Sequence, residues 1–169
     1  MTWTGRTSTG VALLAGLTLL TGCGDGGGSA ATATAPTLGV RAGGEDITVD
    51  PTQYCLDGTG QRYQVSAPII EVTPDTTITL TVSDAVAEAG WGVQVFDQEL
   101  AEMIGEVDVP DGVTSYDGIS TSDVVPPTFY LVVVENSEPD ACSGLSGAWP
   151  VGFIRTDGTV ASTSPPPSG

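Results

Sequence analysis

The chain has 169 residues with 21 acidic and four basic side chains, which gives a formal net charge of -17. It contains no histidine and no lysine; its positive charges are Arg6, Arg41, Arg62 and Arg155. These absences exclude Ser-His-Asp, Cys-His and Ser-Lys catalytic groups, imidazole zinc sites and Schiff-base chemistry. The acidic excess repels phosphate backbones, so we expect no binding to nucleic acid. The same charge favours a soluble monomer.

Residues 1–22 are predicted to be an export signal. Arg6 precedes an uncharged apolar run at residues 11–20. As a helix this run would be about 15 Å long, which is too short for a hydrocarbon core of about 30 Å. The next residues, Leu20-Thr21-Gly22-Cys23, resemble the lipobox of bacterial lipoproteins. The resemblance implies cleavage between Gly22 and Cys23 and a diacylglycerol on the Cys23 thiol.

Two acyl chains anchor a protein stably at a bilayer. The lipobox therefore implies a chain held on the extracytoplasmic face of the cytoplasmic membrane by the lipid on Cys23. No other cofactor is predicted.

Two segments with few large apolar residues flank the predicted domain. After Cys23, residues 23–44 are mostly Gly, Ala, Ser and Thr, which favours a flexible tether. Residues 159–169 contain Ser, Thr, Gly and three consecutive prolines, which predicts a disordered tail. The folded unit is therefore predicted at residues 45–158.

Alternating apolar residues predict the main strands of this unit. Residues 77–82 alternate threonine with Ile78, Leu80 and Val82, and a second alternation runs through Trp91–Phe96. Residues 129–135 have six apolar positions before the first charge, which predicts a central strand. Shorter strands are predicted at residues 46–49, 62–65, 69–72, 103–107 and 148–155.

Turn residues separate these strands at short intervals, as in Asp57-Gly58 and Pro110-Asp111-Gly112. The sole helical candidate, Asp84–Ala89, is short enough to be a loop. About seven or eight strands with this punctuation predict an all-β, antiparallel, immunoglobulin-like sandwich, with a β-barrel as the open alternative. The stretch at 108–127, rich in Asp, Ser, Thr and Gly, is predicted to be a loop available to a partner.

With Cys23 lipidated, Cys55 and Cys142 remain as an even pair in an oxidising compartment, which predicts one disulfide. A redox-active dithiol is disfavoured because the two cysteines are not in a C-x-x-C motif beside basic groups. Trp91 and Trp149 lie on predicted strands and are predicted to be core residues.

Three acidic residues, Glu106, Asp108 and Asp111, are weak candidates for calcium ligands because their oxygens recur at short spacing. A second acidic group lies between residues 97 and 102. Neither group matches the twelve-residue calcium loop. We interpret both as solvated turns and edge-strand charges, and we predict no metal site.

The stretch Pro51-Thr52-Gln53-Tyr54-Cys55 resembles a family of actinobacterial secreted lipoproteins of unknown function. Its members combine a lipobox signal with a Pro-x-Gln-Tyr-Cys motif and a later tryptophan-led strand, which Gly90-Trp91-Gly92-Val93-Gln94-Val95 matches here. Leu56 stands where the family usually has an acidic residue. The resemblance implies a location and a fold, and it transfers no catalytic residue.

These observations predict a non-enzymatic envelope module that binds another envelope protein or a small ligand. An exposed apolar patch or groove would support that hypothesis. The alternatives are a carboxylate-dependent hydrolase of cell-wall glycan, which needs two acids facing across a cleft, and a calcium-stabilised adhesion module.

Overall fold

The computed structural model describes residues 34–136 and 140–156. The predicted signal, Cys23 and the predicted tail lie outside the described residues. No helix within these two ranges is long and apolar enough to cross a membrane.

The described residues form eleven strands, one short α-helix and one 3₁₀ turn at Ala141–Gly144. In chain order the strands and the helix are β1 (Leu38–Ala42), β2 (Glu45–Val49), β3 (Gln53–Leu56), β4 (Thr59–Arg62), β5 (Ile69–Val72), β6 (Thr77–Thr81), α1 (Asp84–Ala89), β7 (Trp91–Phe96), β8 (Met103–Asp108), β9 (Ser115–Ser120), β10 (Thr128–Glu135) and β11 (Ala148–Arg155).

These strands form two separate sheets. The smaller sheet has the order β2-β1-β6-β9, and the larger has the order β4-β3-β11-β10-β7-β8 with β5 also paired to β11. The predicted all-β sandwich is confirmed, with more strands than the seven or eight expected. One pair departs from the antiparallel prediction, because β5 runs parallel to β11.

Strand β11 organises the larger sheet. One of its edges pairs along its length with β10. Its other edge is divided, since Ala148 pairs with Gln53 of β3 while Gly152 to Arg155 pair with β5. The amide of Gly152 donates to the carbonyl of Pro68 at 2.8 Å, which fixes β5 in place.

The core lies between the two sheets and is filled by alternate residues of their strands. Val133, Trp149 and Phe153 are all at most 1% exposed, as the period-two pattern requires. The rings of Phe129 and Phe153 stack with their centroids 5.4 Å apart. The predictions that β10 is central and that both tryptophans are core residues are confirmed.

Helix α1 confirms the one helical candidate. Ser83 is its N-cap, and its side chain accepts a hydrogen bond from the amide of Val86. The helix ends at Gly90, whose φ of 83° is a conformation that glycine adopts without a Cβ clash.

Several predicted boundaries are wrong. The predicted tether at residues 23–44 contains β1, whose Leu38 and Val40 are fully buried, so the folded unit begins earlier than residue 45. The predicted loop at 108–127 contains β9. The strand predicted at 62–65 ends at Arg62, and β3 had no sequence prediction.

The predicted disulfide between Cys55 and Cys142 is confirmed. It joins β3 to the 3₁₀ turn that follows β10, and it spans 87 residues with its Cα atoms 5.8 Å apart. A Cβ on Gly60, opposite Cys55, would lie 3.3 Å from the Cys142 carbonyl oxygen, so the β3–β4 hairpin packs closely on this turn.

Replacing both Cys55 and Cys142 with serine should lower the free energy of unfolding by about 4 kcal/mol, because the unfolded chain regains the entropy of an open loop. Equilibrium denaturation in urea measures this change. The wild-type chain under reducing conditions is the control and should lose the same amount. A loss below about 1 kcal/mol would contradict this entropic contribution of the bond.

Candidate functional site

The candidate site is an open groove of about 420 Å³ beside the β3–β4 hairpin. We call it the hairpin groove. Its lining combines apolar and aromatic side chains with a few polar ones, and it comes from four segments of the chain: Thr34, Ala35, Asp50, Pro51, Leu56, Gln61, Tyr63 and Val65. Among the described residues, its lining has one carboxylate, that of Asp50, and no basic side chain.

A tight turn builds the hairpin. Asp57 and Gly58 have φ values of 48° and 73°, and two positive φ values are what a two-residue type I′ turn requires. The predicted Asp57-Gly58 turn is therefore confirmed. The turn returns the chain antiparallel, so Gln61 lies opposite Tyr54.

The 51–55 motif attaches this hairpin to β11. The amide and the hydroxyl of Thr52 both donate to the carbonyl of Ala148, at 2.9 and 3.2 Å. The side-chain Nε2 of Gln53 donates to the carbonyl of Ser146 at 3.1 Å. Four motif residues therefore have structural partners, since Tyr54 packs on the core and Cys55 forms the disulfide. The fifth, Pro51, lines the groove.

Tyr54 is partly buried and packs against the core. Its ring centroid is 6.0 Å from that of Trp149, and the indole Nε1 of Trp149 donates to the carbonyl of Pro36 at 2.9 Å. This hydrogen bond fixes the leading segment that brings Thr34 and Ala35 to the groove. The Tyr54–Trp149 pair therefore helps to position the segments that line the groove.

Glu135 is the one buried carboxylate among the described residues, at 9% exposed. It is the last of the alternate β10 residues that face the core, and its backbone amide donates to the carbonyl of Gly147 at 3.0 Å. Burial raises the pKa of its carboxyl, while the Gly147 amide and the Tyr54 hydroxyl oppose this effect. Burial and the nearby charge of Glu135 also raise the pKa of Tyr54. The groups that act on Glu135 include no second carboxylate from the described part of the chain.

The acidic residues singled out in the sequence lie elsewhere. Glu106 and Asp108 are on β8, the outer strand of the larger sheet, and Asp111 follows in the turn near Gly90. Within residues 34–136 and 140–156 there is no group of three or more acidic or cysteine side chains placed to hold a metal ion.

The second acidic group forms a local turn. The Asp97 carboxylate accepts the amides of Ala101 and Glu102 at 2.8 and 3.1 Å. These hydrogen bonds lower the pKa of its carboxyl. The interpretation of this group as a turn is confirmed.

The sequence prediction missed both Glu135 and the hairpin groove. A signal for Glu135 was present, because it continues the inward period-two series of Phe129, Leu131 and Val133. The groove left no such signal, since its lining residues come from four segments that only the fold brings together.

The chain matches no family model, no curated protein and no solved structure.

Replacing Glu135 with glutamine should change how stability depends on pH. The folded-state pKa of Glu135 is raised, so its contribution to stability is fully present below the ordinary glutamate pKa and is lost as pH rises from there through the raised value. Glutamine does not ionise, so the variant should gain stability relative to wild type across that window. Urea denaturation at a series of pH values measures the difference.

Tyr54→Phe is the companion variant. It removes the hydroxyl that lowers the Glu135 pKa, so that pKa should rise further. The variant should therefore lose more stability than the wild type as pH rises through this window. A Glu135→Gln variant that tracks the wild type at every pH would show that Glu135 has its ordinary pKa in the folded chain.

Proposed function

We propose that this chain is a non-enzymatic, lipid-anchored binding module of the cell envelope and that the hairpin groove is its site for a small ligand. The groove itself is the observation that supports this proposal. Its volume of about 420 Å³ falls within the range of about 300–1,000 Å³ common for small-molecule sites.

The lining defines the class of ligand. Leu56, Tyr63 and Val65 give it apolar and aromatic surface, and Gln61 and Asp50 supply polar atoms. An anionic ligand would meet the Asp50 carboxylate without a compensating cation, which is unfavourable. We therefore assign a compact, largely apolar ligand that is neutral or carries one positive charge.

The groove is preorganised. The disulfide and the Thr52 and Gln53 hydrogen bonds hold the hairpin on β11, so little conformational entropy is lost when a ligand binds. Binding without catalysis is favoured because the groove contributes a single carboxylate, whereas glycan hydrolysis uses two carboxyl groups.

The lipid anchor proposed at Cys23 suits this position. Thr34, which lines the groove, is the eleventh residue after Cys23. Even fully extended, this segment would keep the groove within about 40 Å of the bilayer surface. The module would then sample molecules close to the membrane. The lipobox and the 51–55 motif also support placing the chain with the actinobacterial lipoproteins that it resembles.

Replacing Cys23 with serine should abolish lipidation and leave uncleaved precursor. Metabolic labelling with an alkyne fatty acid and gel mobility measure both effects. Cys142→Ser is the control, since it replaces a cysteine that is in the disulfide and should leave labelling intact. A Cys23→Ser chain that is still labelled and of mature size would contradict the proposed anchor.

Replacing Val65 with aspartate should weaken binding of the neutral dye Nile red by roughly tenfold, because a second carboxylate makes the groove polar. Fluorescence titration of the purified full chain measures the dissociation constant. Val125→Asp is the matched control, because Val125 is 79% exposed and lies outside the groove. Equal binding by both variants would show that the dye, and by inference an apolar ligand, does not use the groove.

A further inference from the structure

The outer face of the larger sheet carries a continuous row of apolar residues that is separate from the hairpin groove. The strand registers place Ile69 beside Gly152, Gly152 beside Tyr130, Tyr130 beside Phe96 and Phe96 beside Met103. We call these five residues the outer band. It crosses β5, β11, β10, β7 and β8, about 19 Å at the usual spacing of strands.

The band lies on the outward side of the sheet and is exposed at both ends, while Gly152 is buried beneath Tyr130 and Ile69. Ile69 is 54% exposed and Met103 is 50% exposed, while Tyr130 and Phe96 are half-buried and alternate with inward residues of their strands. Exposed apolar rows that cross several strands are uncommon on soluble monomers and often mark interaction surfaces.

Gly152 lets the band lie close to the sheet. A Cβ at this position would come within 2.8 Å of Tyr130 Cε1 and 3.1 Å of Ile69 Cγ1. The tyrosine ring and the isoleucine side chain therefore occupy the space over the glycine. The outer face is therefore flat at this point, and another polypeptide chain can pack against it.

The Ile69 end of the band opens into a cleft between β2 and β5, of about 360 Å³. Its walls are apolar, formed by Ile47, Pro68, Ile69 and Ile70, and the carboxylates of Glu45 and Glu71 complete its lining. Both carboxylate residues are exposed. A lysine or arginine side chain fits this chemistry, since its alkyl stem packs on the isoleucines while its charged head meets the carboxylates.

Acidic residues also border the other end of the band. On β8, Glu106 lies opposite Gln94 and Asp108 lies opposite Gly92, so both are on the outward side. A register shift between Val95 and Phe96 pairs Met103 with Phe96 and so brings Met103 to the same side. The face therefore has an apolar centre with carboxylates at both ends.

None of the three arginines within the described ranges is in the outer band or lines its cleft; Arg62, which is on the same face, lies on the outermost strand β4. Arg41 pairs with Asp46 at 2.7 Å on the smaller sheet, Arg62 donates to Gln53, and Arg155 donates to carbonyls of the loop after β9. A second copy of this chain would therefore set carboxylates against carboxylates. Charge complementarity instead selects a cationic partner.

We propose that the outer band and its cleft bind a basic polypeptide segment, with a lysine or arginine in the cleft and apolar side chains along the band. The cleft lies between β2 and β5, which are both edge strands of their sheets among the described residues. An extended segment in the cleft therefore also meets unpaired backbone groups, a recurring mode of peptide recognition.

Titration of the purified full chain with a short synthetic peptide that alternates lysine and valine tests this proposal. Fluorescence anisotropy should show binding that weakens as salt is added, and a peptide of alternating glutamate and valine should bind at least about tenfold more weakly. Ile69→Ser should weaken binding of the lysine peptide at low and at high salt, because it removes apolar contact that salt does not screen.

Glu71→Gln should weaken binding of the lysine peptide by about fivefold at low salt. Glu88→Gln, on the exposed side of α1, is the matched control, since it changes the net charge equally and should leave binding unchanged. Circular dichroism and thermal unfolding confirm that each variant is folded.

Equal effects of Glu71→Gln and Glu88→Gln would show attraction by net charge alone and would overturn the proposal. No effect of Ile69→Ser would also overturn it. A neutral chitooligosaccharide is a further probe: band-dependent binding of this sugar without binding of the lysine peptide would assign the face to glycan instead.

Discussion

The divided edge of β11 is the constraint on which the rest of this structure depends. Strands β3 and β5 both pair with that edge, β3 at Ala148 and β5 at residues 152–155, and they meet it in opposite directions. Because the other edge is occupied by β10, β11 holds three strands at once. Its inward residues Trp149, Val151 and Phe153 are at most 1% exposed, and each fully buried side chain of this kind contributes about 1.5–3 kcal/mol.

The two proposed binding surfaces follow from the two halves of this edge. At the Ala148 half, β3 is fixed by Thr52, Gln53 and the disulfide, which forms the hairpin groove. At the Gly152 half, β5 is fixed in parallel and presents Ile69 to Tyr130, which begins the outer band. One strand therefore determines where both surfaces lie. The groove suits a small apolar ligand, while the band suits a basic polypeptide.

Much of the fold was predictable from the sequence, since alternation identifies β6 and β7 and a continuous apolar run identifies β10 without knowledge of their partners. The failures have physical causes. In β9, a register shift between Ile78 and Leu80 of its partner β6 puts Tyr116 and Ile119 on the core side three residues apart, which breaks the period-two pattern. In β1, Leu38 and Val40 are at alternate positions, as in a strand with one buried face. However, they directly follow a segment of small residues that favours a flexible tether.

The site was less predictable than the fold. Counting cysteines gave the right disulfide, but the sequence prediction placed no site at the 51–55 motif. The groove and the band were out of reach because both depend on pairing between segments far apart in the chain. Nothing local indicates that Ile69 comes to lie beside Gly152, or that Leu56 and Val65 line one groove.

Amide hydrogen exchange of the full chain, resolved by residue, tests the role of β11 most directly. The amides of Thr52, Gly152 and Thr156 donate to Ala148, Pro68 and Val72, and these three hydrogen bonds hold β3 and β5 on the divided edge. Our account predicts that all three exchange slowly, at rates close to those of central β10 amides. Exchange of the Gly152 and Thr156 amides as fast as in an unfolded peptide would contradict it, because β5 would then not be paired to β11.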